Sequence, residues 1–387
     1  MPIDKKIRRA LSRDERIILD GFYLEDLSKE LFSMLKPGIS TIEIADHLDK
    51  KMNDDKYLFY PLSIETETFV CNCAPVHPHK FNEDSIISFT FQIYGHKFDN
   101  IKDRFSLKCA YSYSFNKKDY VKLLDIAKNT CTAAIKVCGP NVKLTVPRDV
   151  ITKSLETAID VPIKSIMNIY SINLDNPDKI IPQTKKISTD IRNKVTGIMR
   201  AGELYYIDIH ATNLHTDEMA IEYSPFPTMF IMVVHKDKKE FTKRLRILNH
   251  KYRASLKIYT LLQKYYPPGR VFSLREFSVL YKENTKTPLK LDIMKPLHIA
   301  DMIRGFPTLF IEHDFENKKI EINKLIMEKS SLKRKLSYAK LAKDKKEIEE
   351  KIDKITYTIS DIKTNEAVCI HFGHSILITE TGFKFIC

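Results

Sequence analysis

Residues 85–116 read S-I-I-S-F-T-F-Q-I-Y-G-H-K-F-D-N-I-K-D-R-F-S-L-K-C-A-Y-S-Y-S-F-N. Both arms are rich in aromatic and β-branched residues, and the middle, 95–103, is polar with one glycine, which predicts a β-hairpin. The returning arm alternates. Leu107, Cys109, Tyr111 and Tyr113 share one face, and Lys108, Ala110, Ser112 and Ser114 share the other. The second face is small and polar with a single cation. A strand buried on both sides does not usually carry a lysine there, and a metal site repels one.

Upstream, apolar residues at Leu24, Leu27, Leu31 and Leu35, then at Ile44 and Leu48, predict helices over 19–35 and 41–53. Pro37-Gly38 breaks between them, and Ser40 or Thr41 caps the second. A strand-like block covers 60–73. Downstream, helices are expected over 119–138, stopped by Gly139-Pro140, and over 146–159, with strands near 163–172, 204–211 and 229–235. The order is two helices and strands, twice over, which suits a duplicated half with helices outside a curved sheet.

From Lys236 to Lys257 there are nine Lys/Arg and two acids. Arg246, His250, Arg253 and Lys257 form one stripe of a helix, flanked by Lys243, Arg244, Lys251 and Arg270; acids are nearly absent from it, which suits contact with phosphates. Residues 318–360 are almost purely Lys, Glu, Asp, Leu and Ile with heptad-like spacing, which predicts a helical hairpin breaking near 342–345. A solvated coiled coil and an arm lying on RNA or protein both suit that composition.

The 387 residues are 43% hydrophobic with a net charge of +13, enough for a large core and suited to an anionic partner. Seven cysteines, an odd number without a C-x-x-C, read as free thiols of a reducing compartment. No apolar leader or run of 18 apolar residues is present. C-N-C-A-P-V-H-P-H at 71–79 matches no common zinc spacing.

Taken together, the motifs resemble the pita-bread family of type 2 methionine aminopeptidases and its non-enzymatic relatives. L-K-C-A-Y-S-Y-S-F-N at 107–116 is similar to the family's I-D-C-A-F-T-V-T-F-N. A-G-E-L-Y-Y-I-D-I-H at 201–210 is similar to E-G-E-x-Y-A-I-E-T-F, and F-G-H-S-I-L-I at 372–378 to F-E-H-T-I-L-L. The resemblance runs, with gaps, over about residues 21–315 and 364–387. It implies an α+β pita-bread (creatinase/aminopeptidase) fold: pseudo-twofold curved antiparallel sheets with outer helices, plus a helical insert and a helical hairpin. The parts expected are a basic arm (1–18), the pita-bread domain (19–235 and 364–387), a basic insert (236–317) and the hairpin (318–363).

Those enzymes hold two metals with two Asp, one His and two Glu. The resemblance carries these positions onto Ser88 or Phe89, Lys108, the neighbourhood of Ile172, Asp208 and Gly373, and a substrate-binding His onto Val76, beside His77. One of the five ligands remains, the Asp208 carboxylate, and an ammonium donates no lone pair to a metal. The implied chain is therefore a pseudo-enzyme without cofactor. It resembles the ErbB3-binding/proliferation-associated proteins and the related large-subunit export factor, as V-F-S-L-R-E-F at 271–277 also does. That branch implies a monomer of the cytoplasm, and of the nucleus or nucleolus as well, without a membrane. Its partner is the large ribosomal subunit, rRNA and tunnel-exit proteins, and Lys243, Arg244, Arg246, His250, Lys251, Arg253, Lys257 and Arg270 are its rRNA contacts. A nucleic-acid cofactor acting away from ribosomes and an active aminopeptidase are the rival readings.

Overall fold

The computed structural model describes residues 5–66, 69–71, 73–76, 78–83, 85–99, 104–115, 117–156, 164–173, 183–188, 197–212, 220–223, 227–233, 239, 242–246, 253–266, 271–289, 294–306, 309–312, 315–338, 345, 347–352, 354–355 and 368–387. The expected hairpin forms from β3 (Ile86–His96) and β4 (Leu107–Ser114), paired in antiparallel register from Ile86↔Ser114 to Ile93↔Leu107; of the expected turn at 95–103, residues 100–103 lie outside the described residues. Gly95 takes φ +112° where β3 ends, a conformation that side chains resist.

Three helices precede it. The first, α1 (Lys5–Ala10), is docked: Arg8 is buried between Asp20 (2.6 Å) and Asp99 (2.7 Å). The second, α2 (Arg13–Met34), starts ahead of the expected 19 because Ser12 and Glu15 form a reciprocal capping box. Ser40 and Glu43 do the same for α3 (Thr41–Asp54). Then follow β1 (Tyr57–Thr66) and β2 (Phe69–Cys71).

After the hairpin come α4 (Lys117–Lys136), α5 (Thr145–Glu156), β5 (Lys164–Asn173), β6 (Gln183–Ser188), β7 (Leu204–Thr212), β8 (Ala220–Tyr223) and β9 (Met229–Met232). The remainder is α6 (Arg253–Tyr265), β10 (Val271–Ser273), α7 (Leu274–Thr285), α8 (Lys295–Ile299), β11 (Ile303–Gly305), β12 (Leu309–Glu312), α9 (Phe315–Tyr338), β13 (Cys369–Ile378) and β14 (Phe383–Phe385). The predicted hairpin break at 342–345 lies almost wholly outside the described residues; Ile352 and Ile355 beyond it are buried.

The main sheet runs β1-β3-β4-β13-β7-β5-β6, with β14 on β13, and two three-stranded sheets, β10-β9-β11 and β2-β12-β8, accompany it. The duplicated order is visible in the packing. Ile87, Phe89, Phe91 and Ile93 of β3 pack with Leu24, Leu27 and Leu31 of α2 and with Ile44 and Leu48 of α3. Ile207 and Ile209 of β7 and Ile370 and Ile376 of β13 pack with Leu123, Ala127 and Cys131 of α4. A third core joins Ile258, Tyr259 and Leu262 of α6 to Phe272, Phe277 and Leu297. Period two then sends the alternate residues of β3, β4, β13 and β7 to the opposite face, and that face lines a central cleft.

Candidate functional site

The two halves of the sheet meet where β13 lies between β4 and β7. Gly373 stands between Ala110 of β4 and Asp208 of β7, and His371 stands opposite His210. Gly373↔Ala110 is the one backbone register pair between β13 and β4 among the described residues. Two serines complete the seam. Ser112 Oγ accepts from the His371 N–H (2.7 Å) and donates to its carbonyl (3.0 Å). Ser375 Oγ accepts from the Lys108 N–H (2.9 Å) and donates to the Lys108 carbonyl (2.7 Å).

At this seam a buried charged cluster fills the cleft floor. Asp208 Oδ1 lies 2.5 Å from His371 Nε2, and its Oδ2 lies 3.7 Å from Lys108 Nζ and 3.6 Å from His210 Nε2. The other His371 nitrogen, Nδ1, lies 3.0 Å from Glu65 Oε2. Glu65 also accepts from Ser63 Oγ (2.9 Å) and Thr90 Oγ1 (3.4 Å). The Lys108 ammonium sits 4.6 Å from the centre of the Tyr206 ring, a cation–π distance.

Carboxylates on both ring nitrogens require both to carry protons, so the geometry makes His371 an imidazolium. Burial opposes that charge, but Asp208 and then Glu65 outweigh it and raise the His371 pKa. Burial likewise acts against the Asp208 carboxylate, yet Lys108, His371 and His210 together hold its pKa well below the usual range. His210 is pushed the other way, by burial and by the neighbouring His371 cation, and stays neutral.

The sequence-derived metal positions divide into two groups. Lys108, Asp208 and Gly373 come together at the seam. Ser88 does not: it pairs with Ser112 and bonds its hydroxyl at 2.6 Å, while Gln92 is the β3 residue opposite Lys108. Ile172 pairs with Leu204, and Asn168 is the β5 residue opposite Asp208. Val76 packs against the third core, and His77 lies outside the described residues.

The structure adds Glu65, Tyr206, His210 and His371 to the site. Period two places His210 on the Asp208 face and His371 on the Gly373 face, so those two were readable. Glu65 was not: β1 changes register between Tyr57 and Phe59 and again between Tyr60 and Ser63.

Three metal-capable donors, on Asp208, His210 and His371, lie within 4.8 Å of one another. As arranged they do not fit an ion. His371 has both nitrogens engaged by carboxylates, and the His210 and His371 rings stack with centroids 3.8 Å apart and 26° between planes. Two imidazoles on one tetrahedral or octahedral ion diverge instead. A Cβ atom at position 373 would lie 2.1 Å from the Tyr206 hydroxyl, so that hydroxyl occupies the space of a larger side chain there.

The basic candidates lie elsewhere. Lys243, Arg246, Arg253 and Lys257 are exposed, the last two one turn apart on α6. Arg244 is committed to the Ala300 carbonyl (2.9 Å) and Asp301 (3.1 Å). His250, Lys251 and Arg270 lie outside the described residues. No described helix is long and apolar enough to cross a membrane.

A thermophilic Arx1 superposes with a TM-score of 0.58 and 12% identity, over 97% of this chain and 91% of that one. Methionine aminopeptidases of Thermotoga maritima (TM-score 0.49, 10% identity, 96% and 95% covered) and Rickettsia prowazekii (0.46, 10%, 99% and 96%) are also similar. No protein-family model matches, and no curated protein does. The chain has the pita-bread aminopeptidase fold, mixed α and β, shared with Arx1 nearly end to end.

Proposed function

We propose that this chain is a catalytically inactive, methionine-aminopeptidase-like protein that binds the large ribosomal subunit near the polypeptide exit tunnel, as an assembly, protective or tunnel-exit factor. The observation that carries the reading is the cleft floor, where Lys108 pairs with Asp208 at 3.7 Å and His371 bridges Asp208 and Glu65. An enzyme activating water on two metals needs open coordination positions there. Here protein cations and the Tyr206 hydroxyl fill the floor.

The free positive charge faces outward instead. Lys243, Arg246, Arg253 and Lys257 are exposed on a chain of net charge +13. The basic insert (236–317), with His250, Lys251 and Arg270 as further candidates and Arg244 as a positioning residue, supplies the rRNA contact in this reading. Such contacts are directed at phosphates and read shape. The resemblance of the sequence motifs to the non-enzymatic branch and the fold shared with Arx1 support the same partner.

Co-sedimentation with purified large subunits, small subunits and free RNA across a salt series tests it. The chain is expected to pellet with large subunits at moderate salt and to be released steeply as salt rises. Absence from the large-subunit pellet overturns the reading, and equal binding to free RNA or DNA transfers it to a nucleic-acid cofactor acting away from ribosomes. A second reading, a metallo-aminopeptidase, would take Asp208, His210 and His371 as ligands once the stacked rings part. That reading requires stoichiometric divalent metal in the purified protein and release of N-terminal Met from peptides.

A further inference from the structure

We infer that Lys108 and the His371 imidazolium are built-in counter-cations that take the electrostatic place of bound metal in this cleft, and that removing the Lys108 charge turns Asp208, His210 and His371 into a divalent-cation site. The inference rests on the inactive-cleft half of the proposed function and not on ribosome binding.

Charge balance carries it. Asp208 and Glu65 are buried anions, and among the described residues Lys108 and His371 are the cations paired with them, at 3.7 Å and at 2.5 and 3.0 Å. Two negative and two positive charges cancel, so an added divalent ion meets a neutral cluster and must displace a cation to enter. His210 contributes a donor without a charge. Its Nε2 lies 3.6 Å from Asp208 Oδ2, and its buried Nδ1 has no hydrogen-bond partner among the described residues.

Without the Lys108 charge the sum becomes −1. A divalent ion that takes the place of the His371 Nε2 proton restores it to zero. Asp208, His210 and His371 are then the ligands, and Glu65 holds the remaining Nδ1–H, the arrangement in which a carboxylate orients a ligating histidine. The stacked rings must part for this.

The test compares wild type, Lys108→Met and the charge-retaining Lys108→Arg in chelator-treated and cobalt(II)-supplied samples. Melting temperature, metal content after dialysis and the visible cobalt absorption band are read. Wild type and K108R are expected to hold sub-stoichiometric cobalt and to melt at the same temperature with and without it. K108M is expected to melt about 5–10 °C lower without metal, as a broken buried pair does. With cobalt it recovers, holding one ion per chain with a ligand-field band.

A K108M protein that melts like wild type, or that gains nothing from cobalt, overturns the inference and leaves the inactive-cleft reading standing. Stoichiometric metal in wild type overturns both. If K108M does not accumulate folded, refolding from denaturant with and without cobalt decides: recovery only with cobalt supports the inference, and failure in both overturns it.

Discussion

A Cβ atom at position 373 would lie 2.1 Å from Tyr206 Oη and 2.5 Å from its Cζ. Gly373→Ala is therefore expected to cost about 3 kcal/mol, the upper range of overpacking penalties. Tyr206→Ala in the same background should recover part of it, and a double-mutant cycle by urea unfolding measures the coupling. Additive effects would show that the two side chains do not compete for space. One residue along, His374 rests between Tyr111 and Phe385, with ring centroids at 5.4 and 4.9 Å. Burial lowers its pKa from 6.5 to about 4. Between those values the unfolded chain binds a proton that the folded one does not. Stability therefore falls as pH drops from 6.5 to about 4 and levels off below. The loss is at most about 3 kcal/mol, since each unit is worth about 1.4. His374→Phe keeps an aromatic ring there and should flatten this limb of the stability–pH curve. An unchanged limb would place the acid sensitivity elsewhere.

At the scale of elements, α7 is fastened to α3 by one side chain. Arg275 is buried, pairs with Asp46 at 2.9 Å and Asp49 at 2.6 Å, and approaches the Pro75 carbonyl at 3.4 Å. Burial pushes the Asp49 carboxyl up to about 6 even with the guanidinium and the Leu62 N–H pulling it down, so Arg275 helps to keep an anion there near neutral pH. Arg275→Leu should cost about 3–5 kcal/mol by stranding Asp49, with faster hydrogen exchange in α7 and β10 than in β3 and β4. Equal protection throughout would show that the clamp is dispensable. The sequence made some of these elements legible and not others. The β3–β4 hairpin followed from aromatic alternation at Phe89, Phe91, Tyr111 and Tyr113, and the oddity of Lys108 on a small polar face marked the cleft. Ser88 and Ile172 fell four residues from the positions opposite Lys108 and Asp208, because pairing register is set by partners distant in the chain. Glu65 was hidden by the register shifts of β1, and Arg8 looked like part of a loose basic arm because its anions, Asp20 and Asp99, lie 12 and 91 residues away.

For the whole molecule, the charges to which the proposed function assigns binding and those of the cleft are separate sets. The cleft cluster is buried and internally neutral, so salt should leave it untouched, whereas exposed Arg246, Arg253 and Lys257 contribute to the +13 seen by a polyanion. Charge reversal to Glu at these three positions is expected to weaken large-subunit binding. It should also reduce the slope of log affinity against log salt by about one per phosphate contact removed. An unchanged slope would move the interface off this face.

The tyrosine over Gly373 also constrains the order in which this sequence can change. A glutamate introduced at 373 meets the Tyr206 ring before it meets any ion, and Tyr206 replaced by a smaller residue first leaves the Lys108 ammonium without the aromatic face it now lies over. A carboxylate at 373 therefore requires a change at Tyr206 first, and that change bears on Lys108 as well. Substitution at Gly373 alone is closed off by packing, whatever the new side chain could do chemically, so positions 108, 206 and 373 are expected to change in concert.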